Sequence, residues 1–197
     1  MSSLKKKLLL ILSIFLILFV VCEFILRFLN IGFNHRPLNS DAVYHHAHPK
    51  KFNFTSYSPS LEWEPFQVFY GNNGNRVSSK KENKKKDPKV YFLGDSFTEA
   101  VQVKYKSTFV GLLEKEYSNL KILNYGVGSY SPLIYLIQIK NIIKKNKPKY
   151  IIIQLCDNDI CNDNFYINFA DNKDLNKITS INGKKMIGLN IIEILIY

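Results

Sequence analysis

From residue 89 onward, apolar runs of strand length alternate with helical patterns, and this alternation limits the fold more than any other feature of the chain. The runs 89–93, 120–125 and 150–155 predict strands, and the stretches 108–117 and 132–145 predict helices. Strands that alternate with helices pair in parallel through right-handed crossovers. Because the apolar runs are nearly continuous, both faces of the sheet should be covered. The sequence therefore predicts an α/β fold built on a parallel sheet.

Small and polar residues follow each of the predicted strands. These segments are Gly-Asp-Ser at 94–96, Gly-Val-Gly-Ser at 126–129 and Cys-Asp-Asn-Asp at 156–159. Parallel strands place their carboxyl ends at one edge of a sheet, which is where ligands bind in open α/β folds. We therefore expect the three segments to meet at one site.

The side chains in these segments indicate acyl transfer. Ser96, in a sharp turn between a strand and a helix, would expose its hydroxyl as a nucleophile. Backbone N–H groups of the glycine-containing turn and the amide of Asn158 would donate to a developing oxyanion. In the alternative interpretation, Gly-Asp-Ser is a simple turn in which Asp95 caps the following helix.

In these three segments the chain resembles the SGNH hydrolases, which are also called GDSL-type esterases. Two further stretches, "CEFILR" at 22–27 and "NNGNR" at 72–76, are similar to elements of membrane-anchored members of that family. The resemblance covers roughly residues 15–165. It implies a flavodoxin-like three-layer α/β/α fold, present here in part, and no cofactor or metal is expected.

The resemblance also implies roles for the matching residues. Ser96 is at the position of the nucleophile. Ser129 is at the position of the backbone oxyanion donor, and Asn158 is at that of the side-chain donor. The other residues of these blocks that we assign to the site are Gly94, Asp95 and Gly128.

One part of the family pattern is missing from the sequence. The SGNH hydrolases carry a catalytic histidine late in the domain, with an aspartate three residues before it, whereas every histidine of this chain lies at or before position 48. Ser96 then has no evident general base. We expect a truncated copy of a longer enzyme rather than a degenerate member that only binds. His45, His46 and His48 are predicted to lie in a loop, neither binding a metal nor replacing the base.

The amino-terminal segment predicts a membrane anchor. Lys5, Lys6 and Lys7 precede an uncharged apolar run from Leu8 to Val21. With the apolar residues that follow, the stretch reaches the roughly 20 residues that span a bilayer. It predicts a transmembrane helix within residues 1–30, with the lysines in the cytoplasm and the rest of the chain extracytoplasmic. The alternatives are a cleaved signal peptide, for which small residues at a cleavage site are missing, and a buried helix of a soluble protein.

The rest of the chain divides into two predicted parts. Residues 31–88 are predicted to be irregular apart from one strand at 66–70, and residues 89–197 form the partial SGNH-like domain. The formal net charge of +11 is carried mostly by scattered lysines without a zinc-finger or RRM-like pattern, so nucleic acid is not an expected partner. For Cys156 and Cys161 the alternatives are a disulfide and two free buried thiols, of which we predict the free thiols, and Cys22 has no expected partner.

Together these predictions describe a single-pass membrane protein with an extracytoplasmic ester hydrolase or O-acyltransferase domain. By location alone, the substrate would be an ester-bearing glycan or lipid of the cell envelope. The alternative is a non-catalytic envelope protein that binds an acylated ligand in the same pocket.

Overall fold

The computed structural model describes residues 3–28, 38–56, 62–79, 89–145 and 148–186, and these residues form a mixed α/β fold. The helices are α1 (Ser3–Phe28), α2 (Ser96–Glu99), α3 (Phe109–Glu116), α4 (Pro132–Lys145) and α5 (Asp157–Tyr166). The strands are β1 (Asn39–Asp41), β2 (His45–Ala47), β3 (Phe52–Ser56), β4 (Phe66–Tyr70), β5 (Arg76–Val77), β6 (Lys89–Leu93), β7 (Lys121–Asn124) and β8 (Tyr150–Ile153).

Six of these strands form one mixed sheet in the order β3-β4-β5-β7-β6-β8. Strand β6 is parallel to β7 on one side and to β8 on the other, which confirms the predicted parallel pairing. The register pairs Phe92 with Asn124 and Leu93 with Ile153. The carboxyl ends of β6, β7 and β8 are therefore adjacent at one edge of the sheet.

Helices cover both faces of β6, as the apolar runs predicted. Val90 and Phe92 pack with Val110 of α3. Tyr91 and Leu93 pack with the apolar side of α4. Successive side chains of a strand point to opposite faces, so α3 and α4 lie on opposite sides of the sheet.

The prediction of irregular structure before residue 89 is wrong for most of the described residues there. Strands β3, β4 and β5 pair antiparallel with one another and join the same sheet through the contact of β5 with β7. These strands are short and polar on one face, where Asn53 Nδ2 donates to Gln67 Oε1 and Gln67 Nε2 donates to Thr55 Oγ1. Cross-strand pairs of this kind stabilise a sheet without a strong apolar signal in the sequence.

The predicted transmembrane anchor is also wrong. Residues 3–28 do form a helix, α1. However, in the part of the chain that the structure describes, no helix combines the length and the apolar character that crossing a membrane requires. The uncharged run from Leu8 to Val21 is 14 residues long, and extending it to the roughly 20 that a bilayer needs brings in the charged residues Glu23 and Arg27. The single-pass membrane location, which depended on this helix, is corrected with it.

Candidate functional site

Asp95 caps the helix that follows β6, so the alternative interpretation of Gly-Asp-Ser describes one of its roles. Its Oδ1 accepts the N–H of Phe97 at 2.9 Å, and the side chain is fully buried. This cap satisfies one of the unpaired N–H groups at the start of α2. The carboxylate therefore fixes the direction in which the helix leaves the strand.

Ser96 is the first residue of α2 and is partly exposed. Its Oγ donates to Asp95 Oδ2 at 3.4 Å, which is a long and weak hydrogen bond. Among the described residues, the hydrogen-bond partner of this hydroxyl is thus a carboxylate and not an imidazole. The serine lies at the carboxyl end of β6, as predicted.

Two glycines allow the ends of β6 and β7 to come into direct contact. A Cβ on Gly94 would overlap the side chain of Thr98. A Cβ on Gly126 would overlap the backbone nitrogen of Glu99. Any other residue at either position would push the serine helix away from the strand ends.

Hydrogen bonds join the same two strand ends. Asn124, the last residue of β7, donates from Nδ2 to Thr98 O at 2.8 Å and accepts the N–H of Gly126 at 2.9 Å. The N–H of Val127 donates to Gly94 O at 3.0 Å. The turn at residues 126–129 is therefore held against the segment that carries Ser96.

The two predicted oxyanion residues in this turn have different positions in the hydrogen-bond network. Gly128 donates its N–H to Glu99 Oε2 at 3.0 Å, so that N–H already has a side-chain acceptor. Ser129 has a φ of 65°, in the left-handed region that favours glycine. Its carbonyl accepts the hydroxyl of Tyr166 at 2.7 Å. Of the two residues, Ser129 is the better candidate for the backbone donor.

Gln154, which lies just before the third segment, joins the end of β8 to the first segment. Its N–H donates to Leu93 O at 3.0 Å, and its Oε1 accepts the hydroxyl of Thr98 at 2.6 Å. Asn158 follows in the first turn of α5, where its side chain is exposed. The structure thus brings the segments of Ser96 and Ser129 into direct contact, and it places Asn158 on the outer side of the same edge.

Asp159, the neighbour of Asn158, has a structural role in the same turn. Its Oδ2 accepts the N–H of Cys156 at 3.1 Å and the hydroxyl of Tyr135 at 3.0 Å. Burial raises the pKa of its carboxyl above the usual range. These bonds attach the start of α5 to α4.

A buried network around Glu99 was not predicted from the sequence. Glu99 Oε1 accepts the hydroxyl of Tyr70 at 2.8 Å and lies 3.0 Å from His48 Nε2. Arg76, which is buried, donates to the backbone carbonyls of Glu99, Ala100 and Val103. The one sequence signal for this network was the "NNGNR" stretch, which ends in Arg76.

The histidines that were predicted to lie in a loop contribute to a strand and to the back of the turn at 126–129. His45 and His46 belong to β2, and His46 Nε2 lies 2.9 Å from Gly128 O. Because a carbonyl only accepts, this Nε2 carries the proton, and His46 Nδ1 accepts from His45 Nδ1 at 3.0 Å. Burial lowers the pKa of both imidazoles from 6.5 to about 4. Both rings are therefore neutral at pH 7.

The described residues contain no group of three or more His, Cys, Asp or Glu side chains placed to hold a metal ion. The cysteines are free thiols, as predicted, but Cys161 is exposed and Cys156 is only partly buried, so the expectation of a buried pair is wrong. Both lie on the outer side of the sheet, where β8 and α5 are less covered than the central strands.

Comparison of the chain with protein-family models, with curated proteins and with solved structures finds no match. A functional assignment must therefore come from the residues at the ends of β6, β7 and β8 and from the chemistry they allow.

Proposed function

We propose that the chain carries the acyl-transfer site of an SGNH-type ester hydrolase or O-acyltransferase, with Ser96 as the nucleophile. One observation carries the proposal. Ser96 follows β6, and the ends of β7 and β8 flank it on either side at the edge where α/β enzymes bind their substrates. The predicted substrate class, an ester-bearing glycan or lipid, rested on the membrane location that is corrected above, so the proposed substrate is a carboxylic ester without a further class.

The three-layer arrangement supports the proposed family fold. Strands β7, β6 and β8 are parallel, and α3 and α4 lie on opposite faces of them. A flavodoxin-like fold has helices on both faces of a parallel sheet. The antiparallel strands β3, β4 and β5 then extend this core on the side of β7.

In the proposed mechanism, the oxyanion is stabilised by the N–H of Ser129 and the side-chain amide of Asn158. The N–H of Gly128 does not take part, because it donates to Glu99. Removing one preorganised donor from such a site typically reduces kcat by about 10²–10³-fold. Loss of the donor in the turn after β7 and loss of the donor at the start of α5 should therefore reduce kcat by comparable factors.

The observed contacts support a general base for Ser96 less well than they support the oxyanion donors. Asp95 Oδ2 lies 3.4 Å from Ser96 Oγ, but the same carboxylate is used to cap α2. Loss of a triad member lowers the rate by orders of magnitude while leaving residual catalysis from the oxyanion donors. An activated ester, whose leaving group needs little help, is therefore the suitable probe.

The proposal is tested by incubating the full 197-residue chain with p-nitrophenyl acetate and locating the acetyl adduct by mass spectrometry. We expect acetylation of Ser96, its loss in Ser96→Ala, and its retention in Ser118→Ala, which changes an exposed serine in the same way. Both variants should unfold at the temperature of the unchanged chain, since neither removes a buried contact. Absence of an adduct on Ser96 would contradict the catalytic proposal.

A second candidate function is binding of an acylated ligand without catalysis. It is favoured by the surroundings of Ser96, because among the described residues its hydroxyl donates to a carboxylate and not to an imidazole, while His46 and His48 lie against Gly128 and Glu99. In this case Ser96→Ala would bind a short-chain acyl ester as tightly as the unchanged chain does, and no acetyl adduct would form. Titration calorimetry with ethyl butyrate compares the two proteins directly.

A further inference from the structure

Residues 127–130 form a tight turn, and the central peptide of this turn carries the candidate backbone donor. The N–H of Tyr130 donates to Val127 O at 3.2 Å, which closes the turn over Gly128 and Ser129. Ser129, the third residue of the turn, has a φ of 65°, whereas Gly128 does not have a positive φ. A positive φ at the third position alone is typical of a type II turn. The N–H of Ser129 therefore belongs to the central peptide of a type II turn.

Serine is not a residue that favours this turn type. A type II turn requires a positive φ at its third residue, which glycine adopts readily and serine does not. In a type I turn the same residue would have a φ of about −90°, and the two types differ by a rotation of the central peptide through about 180°. The C=O and N–H groups of a trans peptide point in opposite directions. The rotation would therefore exchange the sides on which Gly128 O and Ser129 N–H lie.

His46 contacts the central peptide from one side and stabilises its orientation. The imidazole Nε2 lies 2.9 Å from Gly128 O and carries the proton of this bond, since a carbonyl only accepts. The backbone of the histidine is attached to the same turn, because the hydroxyl of Tyr130 donates to His46 O at 2.6 Å. With Gly128 O directed at the imidazole, the N–H of Ser129 points to the opposite side of the turn.

The N–H of Ser129 is available to a ligand on that opposite side. Among the described residues it donates to no acceptor. Its neighbours in the turn are already bonded, since Gly128 N–H donates to Glu99 and Ser129 O accepts the hydroxyl of Tyr166. The orientation of a single peptide therefore decides whether the turn offers an N–H or a carbonyl oxygen to a developing oxyanion.

We infer that His46 is a positioning residue for the oxyanion site: by donating to Gly128 O, it holds the 128–129 peptide in the type II orientation. The inference rests on the proposed function of Ser96, because it gives His46 a part in the same reaction. Without the imidazole, the peptide can rotate to the type I orientation that serine prefers. The oxyanion then loses its backbone donor, although Ser96 itself is unchanged.

The test compares the maximal rate at which p-nitrophenyl acetate acetylates Ser96 in variants of the full chain. His46→Leu removes the donor to Gly128 O and should slow acetylation by about tenfold, as expected for the loss of one hydrogen bond. His46→Gln retains an N–H donor and should react at nearly the rate of the unchanged chain. Adding Ser129→Gly to His46→Leu should restore most of the lost rate, because glycine adopts the positive φ without the imidazole.

Val110→Ala is the control for lost stability, since it removes buried volume beside α3, on the other face of the sheet from α4. It should lower the thermal midpoint and leave the acetylation rate unchanged. If the unchanged chain forms no adduct on Ser96, the proposed function and this inference are both wrong. If the adduct forms but His46→Leu reacts at the full rate, the inference alone is overturned. The same holds if Ser129→Gly restores none of the rate that His46→Leu loses.

Discussion

The ends of β6 and β7 are held together by buried contacts, whereas the end of β8 is held from one side only. Thr98, Glu99 and Asn124 are fully buried where the first two ends meet. Asn158 and Leu155, beyond β8, are exposed. The segment that carries Ser96, the proposed nucleophile, is therefore built into the core, while the segment that carries Asn158, the proposed side-chain donor, is open to solvent.

The same difference is visible in the strands themselves. The sequences of β6 and β8 are similarly apolar, but β6 is almost entirely buried and β8 is the outermost strand of the sheet. Ile152 and Ile153 of β8 are each 42% exposed. An apolar run thus predicts a strand, but its position in the sheet decides whether both faces are covered. Edge strands with exposed apolar side chains invite pairing with other chains.

The largest effect is expected from Arg76→Met, which removes the cation at the centre of the buried contacts. Three backbone carbonyls would lose their donor, and the nearby Glu99 carboxylate would lose a compensating charge. We expect the free energy of unfolding to decrease by about 3–5 kcal/mol. Urea denaturation measures it, with Lys104→Met as the exposed control. A decrease no larger than that of the control would mean that Arg76 does not hold this region.

A somewhat smaller decrease in the free energy of unfolding is expected when the pH is lowered. Since burial lowers the pKa of His46 from 6.5 to about 4, the unfolded chain binds a proton between these pH values that the folded chain does not bind. The contribution of neutral His46 to the free energy of unfolding is therefore fully present above pH 6.5 and is lost as the pH falls toward 4. The contribution of His46 is on the order of 2–3 kcal/mol.

Comparison with His46→Gln isolates this contribution, because glutamine keeps an N–H donor for Gly128 O but does not titrate. The pKa of His45 is also lowered to about 4 by burial, and His45 is present in both proteins. Urea denaturation at several pH values should give a shallower pH dependence for the variant. Identical slopes would show that His46 is not buried in its neutral form.

Gly126→Ala tests the close contact between the two strand ends. The new Cβ would overlap the backbone nitrogen of Glu99, which no change of rotamer can relieve. Overpacking of this kind costs about 1–3 kcal/mol. Thermal unfolding is the measurement, and Ser129→Gly, a change toward the residue that a φ of 65° favours, should cause no such loss. Equal stability of Gly126→Ala and the unchanged chain would mean that the ends separate easily.

Asn158→Ala should have the smallest effect on stability and separates structure from function. The side chain is exposed, so the free energy of unfolding should change by no more than about 0.5 kcal/mol. If Asn158 is an oxyanion donor, acetylation of Ser96 should slow by about 10²-fold or more. Asn164→Ala, an exposed change in the same helix, should leave both quantities unchanged. An unaltered rate in Asn158→Ala would remove this residue from the site.

The pattern of neighbouring residues in the sequence was sufficient to predict the helices and strands that depend on local signals. The predicted bounds of β4, β6 and α4 agree with the structure. The signals for these elements act within a few residues: apolar runs and, for α4, Pro132 at its start and Lys144 and Lys145 in its last turn. The parallel order of β7, β6 and β8 followed from the alternation of strands and helices. The position of the three polar segments at the same edge of the sheet followed from that order, although direct contact is seen only between the segments of Ser96 and Ser129.

Contacts between distant parts of the chain could not be read from local pattern. His46 contacts Gly128, which lies 82 positions away, and Tyr70 contacts Glu99 across 29 positions. Even the start of α4 depends on such a contact, since the N–H of Leu133 donates to Asp163 of α5. Burial of a histidine or a glutamate is decided by its distant partners, and the sequence around it carries little sign of them.

Glu99 links the helix of Ser96 to the turn at 126–129, and this link limits where the protein can be redesigned. It belongs to the helix of Ser96, and its carboxylate holds the N–H of Gly128, next to the candidate donor Ser129. Because this bond joins the two elements, we expect a displacement of Ser96 to move the turn as well. Substitutions that are meant to leave that pair undisturbed are better placed at exposed positions beyond β8, such as Leu155 and Ile160.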